Sequence, residues 1–415
     1  MAYRAYFEIP QTNKKHFKGS APNLLMNLVE EIRGAVEIKL SFFLYNNPYL
    51  HSKLEELANL GCKITIFSIP LNGYDLKRVL IFKNNYRDSF WSSKKEYAEK
   101  IYKRIEAGIP NFELKIFPHT YIWVRQKFSR GKELYSLHNK SILAKFPDGR
   151  TKCISSSCNF AFGDPKHSEN YLLVGDDRNT VLMFETYFQL LEQHSLSQEE
   201  YGAFSDRSYD FEYIVEPTNL QDRFHTCYFT APFIKYENMG SNHYVQKKII
   251  DFIKTAKQRI YTCSQHFSDY ESFDPCAQSI IKAISEVATE KQIELKILKQ
   301  TRQRHQKQGA RTTSAEKLFK QIRNAEQRYL SPIIHDKFIV VDNKILITTA
   351  NFTSTQFAWA EDHNMAYFVV SENKNYIIQN TFSEINSFHF VEDIDLVNGY
   401  VSHFNNLWRM ANVII

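Results

Sequence analysis

The sequence lacks several residue types and patterns that would point to a specialised fold. Glycine and proline contribute only 13 and 12 of the 415 residues, and no low-complexity run interrupts the chain. Six cysteines, at positions 62, 153, 158, 227, 263 and 276, show no Cys-x-x-Cys spacing, so neither a zinc site nor a disulfide framework is predicted. With 43% hydrophobic residues, the composition predicts a globular chain whose thiols are buried in a reducing cytoplasm.

Long apolar segments are also missing. No stretch reaches the roughly 20 apolar residues that a membrane-spanning helix needs. The first residues, Met1 to Arg4, lead into a strand-like segment without the apolar core of a secretion signal. We therefore expect a soluble, cytoplasmic protein without stable membrane insertion. Its formal net charge of +6 favours an anionic partner.

The segment 331–352 concentrates residues that suit the binding of a phosphate. His335 and Lys337 stand two residues apart in a run rich in Ile and Val, which predicts a strand with both side chains on one face. Asp342 begins a predicted tight turn, and the returning arm of the hairpin ends in small residues and Asn351. An imidazole, a fixed cation and an amide would therefore converge on one spot.

The chain contains a second copy of this pattern. His138 and Lys140 occupy the same two-residue spacing in another strand-like run, and Pro147-Asp148-Gly149 is a strong turn signal. The returning arm ends in two serines, a spacer and Asn159. One His-x-Lys pair is weak evidence in a basic chain. Two copies, each followed by a predicted hairpin, two small residues, a spacer and an asparagine, are strong evidence for a paired site.

These residues resemble the HKD signature of the phospholipase D superfamily. One copy consists of His335-x-Lys337, Asp342 and Thr348-Thr349-Ala350-Asn351, and its partner consists of His138-x-Lys140 and Ser156-Ser157-Cys158-Asn159. The first copy departs from the signature because Lys145 stands where the aspartate would be. In this superfamily that aspartate mainly shapes the hairpin, and Asp342 is included among the predicted catalytic residues. We expect Ser157 and Thr349 to contact the substrate beside the His, Lys and Asn residues.

The order of predicted elements repeats along nearly the whole chain, which indicates an internal duplication. The resemblance implies an α/β fold of two tandem phospholipase D-like repeats, each a mixed β-sheet flanked by helices, packed about a pseudo-twofold axis. The expected repeats are 1–200 and 201–415, joined by a polar linker near 194–209. After the motifs, the sequence predicts strands at 171–174 and 366–370 and helices at 181–193 and 376–388.

Basic residues interleaved with aromatic residues predict a nucleic-acid track. Between 296 and 328 ten basic residues face only two acidic ones, and the segment leads into the His335 motif. The ten are Lys296, Lys299, Arg302, Arg304, Lys307, Arg311, Lys317, Lys320, Arg323 and Arg328. We expect substrate contact from Arg302, Arg304, Lys307 and Arg311 in particular. A solvated helix face is the alternative explanation.

The residues predict phosphodiester chemistry without a cofactor. Lys140, Lys337 and the two asparagines would neutralise and orient the phosphate oxygens. One imidazole would attack phosphorus and the other would protonate the leaving oxygen and then activate water. The resemblance implies His138 as the nucleophile and His335 as the general acid and base. We expect no metal, because each histidine has a lysine neighbour that would repel a cation.

A carboxylate behind each imidazole would fix its tautomer. Glu169 matches the trailing glutamate of the family, and Glu361 stands at the same distance after Asn351. The local match at Glu361 is imperfect, because Asp362 follows it instead of an asparagine. Asp362 could therefore serve in its place, or the second histidine could be oriented differently.

The favoured function is a nuclease, with DNA favoured over RNA. A phospholipase D or phosphatidyltransferase acting on lipid headgroups is the main alternative, because its substrate surface is also anionic. A non-catalytic nucleic-acid-binding protein on the same fold is a further alternative. No separate target-recognition domain is evident, so a protein partner such as an ATPase, or a homo-oligomer, would supply specificity.

Overall fold

The fold is described from a computed structural model. It describes residues 2–9, 21–43, 45–69, 88–117, 134–162, 167–175, 177–205, 217–223, 226–267, 279–300, 313–330, 333–353, 356–357 and 382–413.

The first half of the chain alternates strands and helices. Its strands are β1 (Tyr3–Glu8), β2 (Glu37–Ser41), β3 (Lys63–Ser68), β4 (Phe112–Ile116), β5 (Leu134–Leu137), β6 (Ser141–Lys145), β7 (Thr151–Ser156), β8 (His167–Val174) and β9 (Leu196–Ser197). Its helices are α1 (Pro22–Glu31), α2 (Pro48–Asn59), α3 (Asp88–Glu106), α4 (Arg178–Gln193) and α5 (Gln198–Ser205).

The second half repeats this order after a small additional sheet. The small sheet contains β10 (Thr218–Leu220), β12 (Ile234–Tyr236) and β13 (Met239–Gly240). The other strands are β11 (Cys227–Thr230), β14 (Arg259–Cys263), β15 (Glu294–Gln300), β16 (Ala325–Leu330), β17 (Ile333–Ile334), β18 (Phe338–Val341), β19 (Lys344–Thr348), β20 (Phe382–Val391) and β21 (Asn412–Val413). The helices are α6 (Ser241–Lys254), α7 (Ile280–Glu290), α8 (Thr313–Lys320) and α9 (Ile394–Met410).

Local sequence explains where several helices begin and end. Asn47 caps α2 by accepting hydrogen bonds from the backbone N–H groups of Tyr49 and Leu50, and Pro48 occupies the first turn, where a missing N–H costs nothing. Gly61 follows this helix with a φ of +97°, a conformation that glycine adopts without strain, as predicted for a C-terminal cap. Asp177 and Asp393 cap α4 and α9 in the same way as Asn47.

Two large mixed sheets have the same strand order and the same pairing directions. The first runs β1-β8-β7-β6-β2-β3-β4-β9 and the second runs β11-β20-β19-β18-β14-β15-β16-β21. Along each of these orders the three crossover strands are parallel, and the other neighbouring pairs are antiparallel. The predicted fold of two tandem repeats about a pseudo-twofold axis is therefore confirmed. The boundary at 200/201 stays a prediction, and α5 spans it.

The two halves share an apolar interface rather than merely touching. The Tyr187 ring of α4 stacks on Phe229 of β11 with a centroid distance of 4.0 Å. Ser155 of β7 lies 3.0 Å from Ser387 of β20 and 2.7 Å from Nε2 of His389. These contacts join β7 of the first sheet to β20 of the second, which fixes the relative position of the two sheets that carry the motifs.

Two predicted features of the secondary structure are wrong. The predicted helix 376–388 overlaps β20, whose residues from Phe382 onward form a strand, and the following helix is α9. The predicted linker 194–209 contains β9 and α5 within its described part. The predicted strand 366–370 lies outside the described residues. The five cysteines in the described ranges are buried free thiols, as predicted.

Candidate active site

Each His-x-Lys motif is preceded by a short strand that pairs with a strand of the opposite half. β17, just before His335, pairs in parallel with β8 of the first half, and β5, just before His138, pairs in parallel with β20 of the second half. The three residues of each motif then link this strand to the hairpin of their own sheet. The strand predicted across His335 and Lys337 is therefore interrupted at the motif itself.

Glu169 of β8 is the centre of a hydrogen-bond cluster around His335. Both carboxylate oxygens lie 2.9 Å from Nδ1 of His335. Oε1 also lies 3.1 Å from Nδ1 of His167, and Oε2 accepts a 2.6 Å hydrogen bond from Ser157 Oγ. Burial opposes ionisation, but the two histidines outweigh it and hold the pKa of Glu169 well below its usual range. Glu169 therefore faces His335 as a carboxylate.

The environment of His138 differs from that of His335. Its Nδ1 lies 3.1 Å from the amide oxygen of Asn386, which also accepts a 2.9 Å hydrogen bond from Thr349 Oγ1. Oε2 of Glu384 is equally near at 3.1 Å but lies outside hydrogen-bond geometry, and it has no hydrogen-bond partner among the described residues. Burial raises the pKa of Glu384. His138 is thus oriented by an amide, with a carboxyl group beside it.

The strand register shows which residues correspond between the halves. Ile333 pairs with His167, and Ser136, two residues before the other motif histidine, pairs with Glu384. Glu384 therefore occupies the position of His167. Two residues further along each strand, an asparagine, Asn386, stands where the first half has Glu169.

These contacts correct the predicted partners of the histidines. Each imidazole is oriented by a residue of the opposite half, which spacing along the chain did not reveal. Glu361, predicted as the counterpart of Glu169, lies outside the described residues, as does its alternative Asp362. The carboxyl group beside His138 belongs to Glu384. The pairing of β5 with β20 of the opposite half places Glu384 and Asn386 next to His138, and no local pattern in the sequence indicated this pairing.

Both lysines of the motifs are fully buried and turned toward the motif backbone. Lys337 Nζ donates a 2.7 Å hydrogen bond to the carbonyl of His335, and Lys140 Nζ donates to the carbonyl of His138. Burial lowers the pKa of Lys337 to about 8, and burial together with repulsion by Lys337 lowers that of Lys140. A buried anion would relieve this repulsion, so the pair forms an anion-binding centre.

Both motif histidines are neutral in the ligand-free protein. Burial lowers the pKa of His335 to about 3 despite the opposing effect of Glu169. Burial, with repulsion from Lys140 and Lys337, lowers the pKa of His138 well below its usual value. Since Nδ1 of each ring faces an acceptor, the proton resides there, and Nε2 carries the lone pair available for chemistry.

The remaining motif residues lie close to these groups. Asn351 is buried, and its Oδ1 lies 3.4 Å from Ser264 Oγ. Oδ1 of Asn159 is buried and has no hydrogen-bond partner among the described residues. Ser157 and Thr349, predicted to contact substrate, instead donate to Glu169 and Asn386 and so hold the residues that orient the histidines.

Asp342 is placed away from the histidines. Its carboxylate accepts hydrogen bonds of 2.7, 2.9 and 2.9 Å from the backbone N–H groups of residues 257–259, at the start of β14. The residue has a φ of +51° in the tight turn between β18 and β19. Asp342 was predicted to be catalytic, but its contacts give it the role of fixing the hairpin.

The predicted basic track is only partly described. Arg302, Arg304, Lys307 and Arg311 lie outside the described residues. Three others of the ten pack into the protein: Lys296 pairs with Glu294 at 2.6 Å, Lys299 is buried and donates to Gln327, and Arg328 stacks on Trp408. Lys320 and Arg323 are exposed. Substrate contact by Arg302, Arg304, Lys307 and Arg311 therefore stays a prediction.

His167, Glu169 and His335 also form a group with suitable atoms for a metal ion. One donor atom from each residue lies within 4.8 Å of the other two, and all three residues are buried. Among the described residues this is the one such group. Within the same part of the chain, no helix is both long and apolar enough to cross a membrane.

Comparisons with known proteins agree with this architecture. A family model described as cardiolipin synthase, PLD-like domain, matches residues 249–386. No curated protein matches the chain in sequence.

Solved structures share the fold at low identity. Phosphatidylserine synthase from Haemophilus influenzae Rd KW20 is 12% identical, with a TM-score of 0.55 over 99% of this chain and 87% of that one. Polyphosphate kinase from Porphyromonas gingivalis is 12% identical, with a TM-score of 0.52 over 98% of this chain. The chain spans only 47% of that kinase.

A smaller relative in the comparison is Nuc from Salmonella typhimurium, a phospholipase D family member. It is 16% identical, with a TM-score of 0.31, and the match covers 45% of this chain and 95% of Nuc. At 12% identity, the two structures with TM-scores above 0.5 show the fold and not the reaction. A PLD-like domain model matches residues 249–386, about one third of the chain, and two HKD-type motifs stand on matching sheets, so the predicted resemblance to the phospholipase D superfamily is confirmed.

Proposed function

We propose that this protein is a phosphodiesterase that cleaves nucleic acid through a phosphohistidine intermediate. The observation that carries the proposal is the convergence of His138 and His335, each held at Nδ1 by the opposite half, on two buried lysines. A phosphodiester needs a nucleophile, a proton donor and charge neutralisation at one point. These residues supply all three.

The unequal partners of the two histidines assign their roles. A carboxylate stabilises an imidazolium more than an amide does, so His335, which faces Glu169, is the better carrier of a proton. His138, which faces Asn386, is the better neutral nucleophile. This division rests on the different contacts of Nδ1 in the two histidines, and it agrees with the roles that the family resemblance implies.

The chemistry then follows in two balanced steps. Nε2 of His138 attacks phosphorus, the bond from phosphorus to the leaving oxygen breaks, and that oxygen takes the proton from Nε2 of His335. In the second step Nε2 of His335 removes a proton from water, the water oxygen attacks phosphorus, and the bond to His138 breaks. The lysines and the side chains of Asn159 and Asn351 would hold the non-bridging oxygens throughout.

Substrate binding also prepares the proton donor. In the ligand-free protein burial keeps His335 neutral, with its pKa lowered to about 3. A phosphodiester anion beside the ring favours the charged form by Coulomb attraction and so raises this pKa. Protonation of His335 and binding of the anion therefore reinforce each other, which limits acid catalysis to the occupied site.

Nucleic acid is the substrate class that the charge of the chain supports. The net charge is +6, and the exposed Lys320 and Arg323 belong to the basic segment that precedes the His335 motif. A polymer with one charge per phosphate gains from such spread positive charge. The runner-up is transfer of a phosphatidyl group, which the cardiolipin synthase description of the matching family model favours.

The deciding experiment offers purified protein plasmid DNA, single-stranded DNA, RNA and phosphatidylglycerol vesicles in EDTA. We expect cleavage of nucleic acid by the wild type, no cleavage by His138→Ala, and normal cleavage by the control Lys247→Ala, which changes an exposed residue of α6 that pairs with Asp251. Lipid turnover with intact nucleic acid would replace the nuclease by the phosphatidyltransferase. Turnover of none of these substrates by a folded protein would refute both.

The intermediate can be tested separately with bis(4-nitrophenyl) phosphate. Its good leaving group needs no proton donor, so His335→Ala should release one burst of nitrophenol and retain a phosphoryl group that is stable in alkali and labile in acid. Peptide mapping should place this group on His138. A burst without attachment at His138, or attachment elsewhere, would refute the assignment of the nucleophile.

A further inference from the structure

His167 is a third histidine at the site, and the proposed reaction does not use it. It lies on β8 two residues before Glu169, is 7% exposed, and has its Nδ1 3.1 Å from Oε1 of Glu169. Its ring centroid is 5.1 Å from that of His335. At the corresponding position the other half has Glu384, so among the described residues the cluster has no counterpart around His138.

We propose that His167, Glu169 and His335 form a binding site for a transition-metal dication, with zinc as the best fit. Two imidazole nitrogens and a carboxylate oxygen are a donor set that zinc accepts, with water in the fourth position. The donor atoms of the three residues already lie within 4.8 Å of one another. The sequence argument against a metal considered only the lysine beside each motif histidine and did not include His167.

The geometry requires little movement. With bonds of about 2.0–2.1 Å, ligands of a tetrahedral zinc ion are separated by roughly 3.4 Å. The Nδ1 atoms of His335 and His167 lie 2.9 and 3.1 Å from Glu169 oxygens. The two histidine–carboxylate distances would have to lengthen by a few tenths of an ångström, and the two histidine donors, which lie within 4.8 Å of each other, would have to reach the same separation of roughly 3.4 Å. Each ring would shift its proton from Nδ1 to Nε2, so the net protonation of the two histidines stays the same.

Two carboxyl groups favour a cation at this site and two lysines oppose it. Glu169 is ionised and fully buried, and Glu8 faces it in the register of β1 and β8. Glu8 is itself buried and accepts hydrogen bonds from the first turn of α1. Lys337 and Lys140 interact with Glu169, and each ammonium group donates to the backbone carbonyl of its motif histidine, so neither lysine occupies a ligand position among the three donors.

Occupancy would have a consequence that rests on the proposed function. A metal on Nδ1 of His335 supplies positive charge to the ring and removes its ability to take up a second proton. The proton on Nε2 of His335 would then belong to a metal-bound imidazole, which is a weaker acid than an imidazolium, and Nε2 would have no lone pair with which to activate water. Zinc would therefore inhibit the phosphodiesterase, and activity would be greatest in a chelator.

The test measures metal binding directly, without substrate. Full-length, tag-free protein is stripped with chelator and dialysed against Zn²⁺, and Co²⁺ is used in parallel because tetrahedral cobalt absorbs visible light. We expect one Zn²⁺ per chain in the wild type. Removing a direct ligand in His167→Gln should weaken binding at least as much as loss of an outer-shell partner, roughly tenfold or more. The matched control His138→Gln should bind within about twofold of the wild type.

Circular dichroism without metal checks that His167→Gln is folded, and Glu169→Gln provides a second ligand variant. Absence of Zn²⁺ in the wild type, or equal binding by the wild type and both ligand variants, would overturn the site. The two proposals fail separately. Zinc bound by a protein that hydrolyses no phosphodiester leaves the metal site standing and removes the proposed function. Phosphodiester hydrolysis by a protein that binds no zinc leaves the phosphodiesterase standing and removes the metal site.

Discussion

Exchanging a carboxylate for an amide at each histidine should affect activity very unequally. In Glu169→Gln the negative charge beside Nδ1 of His335 is lost, although the amide can still accept a neutral hydrogen bond where the carboxylate oxygens lie 2.9 Å away. A hydrogen bond to a charged group contributes about 1.5–3 kcal/mol, against about 1 kcal/mol for a neutral one. Because the imidazolium of His335 forms once substrate is bound, a smaller protonated fraction of the complex appears as a loss in kcat.

The magnitude follows from that difference. A loss of about 0.5–2 kcal/mol in the stabilisation of the imidazolium lowers kcat roughly 2- to 30-fold. Glu384→Gln changes a group whose Oε2 accepts no hydrogen bond among the described residues and whose pKa is raised by burial. Replacing this carboxyl group with an amide of equal shape should cost less than about 1 kcal/mol, which is less than about fivefold in kcat.

The assay is the steady-state hydrolysis of an oligonucleotide with a poor leaving group, compared with bis(4-nitrophenyl) phosphate. The defect of Glu169→Gln should be large for the oligonucleotide and small for the nitrophenyl ester in the first, burst step, because only the oligonucleotide needs the proton of His335. Equal defects for the two variants, or a larger defect for Glu384→Gln, would refute the argument that the histidines differ through their Nδ1 partners.

Three further outcomes follow from the structure. Burial lowers the pKa of Lys337 to about 8, so kcat/KM should fall above about pH 8 as its ammonium group is lost, and Lys337→Arg should lack this fall in a pH profile of its residual activity. Burial lowers the pKa of His389 to about 3, so between about pH 6.5 and 3 the unfolded chain binds more protons than the folded one, and stability decreases as the pH is lowered. From pH 7.5 to 5 this group should remove about 2 kcal/mol of unfolding free energy in urea titrations, a loss that should be absent from His389→Asn. Asp342→Ala should lose about 2 kcal/mol or more in the same titration, because three backbone N–H groups of residues 257–259 lose their acceptor, whereas Asp342→Asn should lose less.

The sequence predicted the paired motifs well because each is a local pattern. His138 and Lys140, like His335 and Lys337, stand before a hairpin whose period of two and turn residues can be recognised from neighbouring positions. The duplication then followed from the repeated order of elements. None of these inferences required knowledge of contacts between distant segments.

The orientation of the histidines could not be predicted in this way. β20 was expected to be part of a helix because Phe382, Ile385 and Phe388 recur at three-residue intervals. Its central residues are instead covered on both faces, by its own sheet's helices and by the other half, so the alternation that marks a half-exposed strand is absent. Glu384 and Asn386 resemble a polar helix face in sequence, yet they point into the site.

The fused arrangement has an evolutionary consequence. In a symmetric dimer of identical subunits, every substitution appears twice, so both imidazoles must keep the same neighbours. A single chain with two unequal copies escapes that constraint, and Glu169 can persist in one copy while Asn386 stands in the other. Division of labour between nucleophile and proton donor can then be inherited in the gene, where a homodimer would have to establish it anew each time substrate binds.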